Sequence, residues 1–356
     1  MHFATIDCGT TNSRVYVLDE RLRVVAKGSK KVGVRDTAIT GSKHVLREGL
    51  AEVFEGAVRD AGLQVRDLAC AVTSGMITSE IGLLEIPHLT APAGLGELAA
   101  GVMPVRDPTV FPVDVQLLFV RGIRNAYPPE TTVRDIRRVD FMRGEETQVM
   151  GLLALSGLPD PPLTAVVLSS HTKYIPVTTD RKIAGSATTL SGQLFEAIRH
   201  DTSIGKSVEA PDTALEEIDT EIVDAAFDAV AHAGFLRALL MPRFMEVLLR
   251  IPASSRRLFI DAAIGAEDLQ ALRDFPLLGF ATDTPFVLVG HPARCRIFRH
   301  MLGRHYGVAR EIREVSDPDQ VDRLAILGAV AIAQRAGYLA QSAPARAKGG
   351  DLTLPV

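Results

Sequence analysis

One run of elements is written twice along this chain. "FATIDCGTTNSRVYVLDERLRVVAKGS", from Phe3, reads strand, polar turn, strand, tight turn, strand. "TAVVLSSHTKYIPVTTDRKIAGSATT", Thr164–Thr189, repeats that order and turn placement with hardly a residue in common. An internal repeat on this scale implies two similar domains facing each other. The length agrees: 356 residues, 47% hydrophobic and 23% charged, suffice for two domains of ordinary size.

In the first copy, strands are expected at Phe3–Asp7, Arg14–Leu18 and Arg23–Lys27. Leu46, Leu50, Val53, Phe54 and Ala57 recur at helical spacing and predict a helix from Lys43 to Ala61. A strand at Leu68–Thr73 leads into "SGMITSEIG". After the second copy, helical spacing covers Leu190–Arg199, Glu217–Ala231, Leu236–Leu249 and Ser254–Leu272. "FVLVG", Phe286–Gly290, reads as a buried strand entering a helix from Ala293 to Tyr306. Val321–Gly337 is a final Ala-rich helix, expected to cross back to the first domain. The expected division is residues 1–150 and 151–340, with the break near 150–163 and a flexible tail at 341–356, whose text is small, polar and Pro/Gly-bearing.

Composition narrows the partners. A net charge of −4 with interspersed signs leaves no basic stripe for nucleic acid and no polybasic membrane patch. No apolar run approaches the ~20 residues of a membrane helix, and no charged leader precedes an apolar stretch. The absence of Trp, with only 5 Tyr, argues against a carbohydrate-stacking surface. Cys8, Cys70 and Cys295 are odd in number and far apart, which indicates neither a disulfide framework nor a zinc site. The expectation is a cytoplasmic protein with three reduced thiols and a small-molecule partner. A homodimer is compatible with it.

The two polar turns carry the chemistry. In "DCGTTNSR", Gly9 permits a tight bend whose backbone N–H groups can hold phosphate oxygens. Thr10, Thr11 and Asn12 add donors, Arg14 adds positive charge, and Asp7 can hold Mg²⁺ through water. A decorated hairpin with a self-bonded turn is the plainer alternative. In "FMRGEETQVMGLLAL", Gly144 breaks the preceding segment and Glu145 and Glu146 open an apolar helix. Acids in a first helical turn are also ordinary helix-start chemistry. Duplicated domains with both turns aimed at one cleft are the arrangement of the actin/Hsp70/sugar-kinase architecture, an α/β fold of two ribonuclease-H-like domains with ATP between them. Such kinases need a carboxylate to take the acceptor's hydroxyl proton.

"MRGEETQ", Met142–Gln148, resembles the signature of the 2-dehydro-3-deoxygalactonokinase family. "SGMITSEIGLLEIPHLTAP" (Ser74–Pro92), "SHTKYI" (Ser170–Ile175) and "TTLSGQLF" (Thr188–Phe195) resemble its other blocks in the same order, and the likeness covers residues 3–335. The resemblance implies an ATP-dependent carbohydrate kinase that phosphorylates the 6-hydroxyl of 2-dehydro-3-deoxy-D-galactonate in galactonate breakdown. It implies that Asp7, Gly9, Thr10, Thr11 and Arg14 cradle the triphosphate and metal. Glu145 would be the general base, with Glu146 the next candidate. Ser170, His171, Thr172 and Lys173 would form the second phosphate turn, with Gly290 at the adenosine region. Gly75, Met76, Ser79 and Arg143 would face the sugar acid, Arg143 because a guanidinium binds a carboxylate bidentately. On the residues alone, His171 and Lys173 read equally as a turn histidine and a solvated lysine, and "GMITSEIG" as a loop without a ligand.

Two turns depart from the expected glycine pattern. Ser169-Ser170 stand where Gly-Thr is expected, and "GHPARCRIF", Gly290–Phe298, places bulky His291 where the adenosine helix should begin on Gly-Thr or Gly-Ser. These departures motivate an alternative, a catalytically weak sugar-acid-binding sensor or accessory protein. A chaperone- or actin-type ATPase is disfavoured because no peptide-binding domain follows the core.

Overall fold

The computed structural model describes residues 1–210, 217–307 and 310–340, so the expected tail at 341–356 lies outside the described residues. Two compact units emerge. The first comprises Met1–Glu85, Val102–Val120 and the described residues from Ala329 on; the second comprises Ile86–Gly101 and Arg121–Gly328.

The first unit holds β1 (His2–Cys8), β2 (Ser13–Leu18), β3 (Val24–Lys30), β4 (Leu68–Gly75) and β5 (Leu117–Phe119) in the order β3-β2-β1-β4-β5, with Met103–Val105 on the outer edge. β1 to β3 form an antiparallel meander; β4 runs parallel to β1, and β5 parallel to β4. The second unit repeats this with β6 (Leu163–Leu168), β7 (Thr172–Val177), β8 (Ala187–Thr189), β9 (Phe286–Gly290) and β10 (Ile312–Val315), in the order β8-β7-β6-β9-β10. The senses match strand for strand. The duplicated ribonuclease-H-like fold expected from the repeat is therefore present, completed in each unit by a parallel fifth strand that the sequence reading did not anticipate.

The division of the chain falls elsewhere than at residues 150–163. Residues 121–150 go with the second unit because Ile123–Arg124 pairs with Leu89–Thr90 and Phe141–Met142 in a small separate sheet. Arg137 also pairs with Asp274, and Arg138 donates to the Leu277 carbonyl at 3.1 Å. Helix Pro318–Arg335 has its residues through Gly328 in the second unit and those from Ala329 in the first.

Helix His44–Asp60 buries Leu46, Leu50, Val53, Phe54 and Ala57, the face its spacing predicts. Gly28 on β3 admits it, since a Cβ there would stand 2.9 Å from the Val53 side chain. In the second unit, Tyr174, Phe275, Phe286 and Phe298 are fully buried with apolar residues of helices Thr220–Ala233 and Ala253–Asp268. Cys8, Cys70 and Cys295 are buried free thiols, and burial pushes them up to about 12, 11 and 12, which leaves them unreactive. Among the described residues, no helix is long and apolar enough to cross a membrane.

Candidate active site

Both sheets end their central strands with one device. β4 closes on Gly75 opposite Cys8, and β9 closes on Gly290 opposite Leu168. Their φ angles are +88° and +151°, and a Cβ would stand 2.5 Å from the Cys8 carbonyl oxygen or 2.6 Å from that of Leu168. Only glycine accommodates both demands. The bare backbone lies at the carboxyl ends of parallel strands, where open α/β sheets take their ligands.

In the first unit, β1 and β2 pair as far as Cys8 opposite Ser13, leaving Gly9–Asn12 as the turn, closed by the Gly9 N–H on the Asn12 carbonyl at 2.9 Å. Asp7 and Arg14 are cross-strand partners, their charged groups 3.9 Å apart. The position of a Gly75 Cβ lies 3.2 Å from Asp7 Oδ1, which brings Asp7, Arg14 and Gly75 together. The carbonyls of Gly9 and Thr10 accept from the Val34 and Arg35 N–H groups at 3.3 and 2.9 Å. The turn thereby satisfies first-turn donors of helix Val34–Thr40. Gly33 makes this fit, because a Cβ there would stand 2.5 Å from the Thr10 oxygen. Neither that helix nor Gly33 was anticipated, although Asp36, which accepts from the Gly33 N–H at 2.9 Å, is a helix-start signal. Thr11 accepts from the Asn12 amide at 3.2 Å. After Gly75, Met76 opens a short 3-10 turn, and buried Ser79 donates its hydroxyl to the Met76 carbonyl at 2.8 Å. Ser79 therefore braces the turn.

In the second unit, the two acids of the "RGEE" segment part company. Gly144, at φ +110°, precedes helix Glu145–Leu152. Glu146 is 1% exposed and turns back, both carboxylate oxygens accepting from the Gly144 N–H at 2.9 and 2.8 Å and one from the Thr147 hydroxyl at 3.2 Å. Burial first, then the neighbouring Glu145 charge, pushes the Glu146 carboxyl up to about 8. Glu145 is only half-buried. Arg143 donates to the Ile86 carbonyl at 3.0 Å and lies 3.5 Å from His88 Nδ1, which fixes its guanidinium.

The helix carrying Glu145 is seated backbone to backbone. A Cβ on Gly328 would stand 1.8 Å from the Thr147 carbonyl oxygen, and one on Gly151 would stand 2.0 Å from that of Leu324. Gly328→Ala is expected to cost about 2 kcal/mol, the usual penalty for overpacking, and to lower the urea midpoint accordingly. An unchanged midpoint would mean that the two helices can part without loss.

The second polar turn is used differently from the first. Lys173 occupies the ladder position of Arg14, but it is buried, with Nζ donating to the Phe141 carbonyl and the Thr188 hydroxyl, each at 2.9 Å. Its ammonium thus ties β7 to the strand that leads into Arg143 and Glu145. Thr172 is buried against Ser191, hydroxyl to hydroxyl at 2.7 Å. Ser169 and Ser170 are exposed and His171 half-buried; burial, then Lys173, lowers the His171 imidazole. The Ser170 carbonyl accepts from the Gln193 N–H at 2.8 Å. Arg294, to which the sequence assigned nothing, donates to the Ser169 carbonyl at 3.0 Å and to Ser191 Oγ at 3.1 Å. It lies 3.8 Å from Asp261 and 3.9 Å from fully buried Asp268, so a compensated buried charge anchors this turn. His291 folds back as the cap of helix Pro292–Arg304, Nδ1 accepting from the Ala293 N–H at 3.3 Å. Its ring acts as an Asp or Ser does at a helix start, with Pro292 in the first turn.

Comparison with known proteins extends this geometry. A profile of the family described as 2-keto-3-deoxy-galactonokinase matches residues 7–326. A protein of Rhizobium meliloti (strain 1021) that carries the name 2-dehydro-3-deoxygalactonokinase is 28% identical over 212 residues, 60% of this chain. The matched region spans 61% of that relative's length. A crystal structure from Sinorhizobium meliloti, described under the same enzyme name, has a TM-score of 0.72 at 23% identity, covering 97% of this chain and 100% of the other. That likeness shows a shared fold.

Proposed function

The chain belongs to the 2-keto-3-deoxy-galactonokinase family, and on that premise we propose that it transfers the γ-phosphoryl group of ATP to the 6-hydroxyl of 2-dehydro-3-deoxy-D-galactonate or a close keto-deoxy sugar acid. The observation that carries this reading is the family match over residues 7–326, which takes in both polar turns and the helix start at Glu145.

Several local features support it. Gly75 and Gly290 keep two strand ends bare where a Cβ would fill a phosphate cradle. Asp7 offers a half-buried carboxylate, suited to a hard cation that keeps its waters. Mg²⁺ held there would supply charge neutralisation for the phosphate oxygens. Arg14 adds fixed positive charge beside Asp7, and the Gly9–Thr11 turn adds donors. Glu145 accepts the proton of the acceptor hydroxyl, because Glu146 has committed both oxygens to its own helix start. Arg143, held at Ile86, orients toward the substrate carboxylate. Ser170 and His171 present the second turn, while Lys173 and Thr172 brace it from within.

The deciding experiment is coupled ADP release with Mg-ATP across a panel of keto-deoxy sugar acids, with each ligand also titrated alone. Turnover is expected on the six-carbon 2-keto-3-deoxy acids. Sugar-acid binding without nucleotide binding at millimolar Mg-ATP would overturn the kinase reading.

A further inference from the structure

On the second unit, away from every residue named for phosphoryl transfer, three metal-ligating side chains converge. Asp224 lies on helix Thr220–Ala233, His300 lies on helix Pro292–Arg304, and His305 caps the end of the latter. Both imidazole Nε2 atoms stand 2.7 Å from the same oxygen, Asp224 Oδ1. The three donor atoms lie within 4.8 Å of one another. Phe227, three residues beyond Asp224 and so on the same helix face, stacks flat on the His305 ring at 3.8 Å and 9°. The ring is thereby set before any ligand arrives.

We propose that Asp224, His300 and His305 form a site for a borderline divalent cation of the Zn²⁺ class. Two imidazoles and one carboxylate suit Zn²⁺, with Cu²⁺, Ni²⁺ and Co²⁺ as chemical competitors, whereas Mg²⁺ and Ca²⁺ prefer all-oxygen ligands. The donors now share hydrogen bonds. A tetrahedral ion with bonds of about 2.0–2.1 Å holds its donors about 3.3 Å apart, so each imidazole has to draw back from Asp224 Oδ1 by about 0.6 Å. The side chains of Asp224, His300 and His305 are 32%, 21% and 16% exposed, so an ion can enter and a fourth position stays open to water. The site lies at the far end of the helix that His291 caps. At 1.5 Å per residue that is roughly 20 Å from Gly290, so the cation staples two helices of the second unit and takes no part in the phosphoryl-transfer chemistry.

The test is calorimetric titration of the full chain with ZnCl₂ in the absence of nucleotide, with MgCl₂ as the hard-ion control and thermal unfolding as a second readout. The wild-type chain is expected to bind one Zn²⁺, to ignore Mg²⁺ at the same concentration, and to unfold at higher temperature with Zn²⁺. His300→Gln and Asp224→Asn, checked for folding by circular dichroism, are expected to weaken binding about tenfold or more and to lose the thermal shift. No stoichiometric Zn²⁺ on the wild type, or equal affinity in the folded variants, overturns the proposal. Should a variant fail to fold, X-ray absorption on the Zn²⁺-loaded wild type decides: two imidazoles in the coordination shell support the site, and a shell of oxygen donors alone overturns it.

Discussion

Glu145→Gln is expected to lower kcat by about 10²- to 10⁴-fold, the usual contribution of a general base, with ATP affinity largely intact. The substitution keeps the shape of a half-buried side chain and removes only its capacity to take a proton. Glu146→Gln is expected to behave differently, since Glu146 is 1% exposed and holds the Gly144 N–H. Its kcat should fall far less. Its stability profile should change instead, with a definite sign. Between the ordinary glutamate value of 4.5 and about 8, the unfolded chain releases this proton while the folded chain keeps it. The unfolded state then binds fewer protons, so the wild-type chain loses stability as pH rises through that window. Glu146→Gln removes this loss and should gain on the wild type from about pH 5 to about pH 8. Urea titrations across that range read it directly. Near wild-type turnover in Glu145→Gln, with Glu146→Gln inactive, would reverse the two assignments.

Gly9→Val is expected to abolish detectable Mg-ATP binding by calorimetry without unfolding the chain. The backbone of Gly9 lies outside the left-handed region, so valine is conformationally allowed there, and what the glycine provides is space. A Cβ would already stand 3.2 Å from the Asn12 carbonyl oxygen. The branched methyls would then fill the concave side of the turn, where phosphate oxygens need close approach to backbone N–H groups. A folded Gly9→Val chain with normal nucleotide affinity would reduce "DCGTTNSR" to an ordinary hairpin.

Much of the fold was legible because its signals are local. Short strand-like runs bounded by polar turns placed β1, β2, β6 and β7, and helical spacing placed His44–Asp60 within a residue at each end of its predicted span. The repeat of the meander carried the topology of both sheets. β5 and β10 escaped because strands of 3 and 4 residues are too short to display a period, and what defines them is pairing with strands distant in sequence, β4 and β9. The division of the chain escaped for a related reason. Residues 121–150 carry no compositional break, and only contacts distant in sequence, such as Ile123–Arg124 with Leu89–Thr90, Arg137 with Asp274 and Lys173 with the Phe141 carbonyl, assign them to the second unit.

By itself, the sequence determined which residue types stand at each turn: the acid, glycines and arginine around Gly9, and the Gly-Glu-Glu start at Gly144. The tertiary structure alone decided how those groups are used. Lys173 and Arg14 share a ladder position, yet the ammonium is drawn inward by the Phe141 carbonyl and Thr188, while Arg14 stays beside Asp7. Glu145 and Glu146 are chemically the same acid, and burial against the Gly144 N–H separates them. Gly151 and Gly328 look like flaws in two helices until the helices are packed, when each proves to lie against a carbonyl of the other. The physical reason is common to all of these. Charge state and hydrogen-bond commitment depend on desolvation and on partners distant in sequence, and no local pattern encodes them.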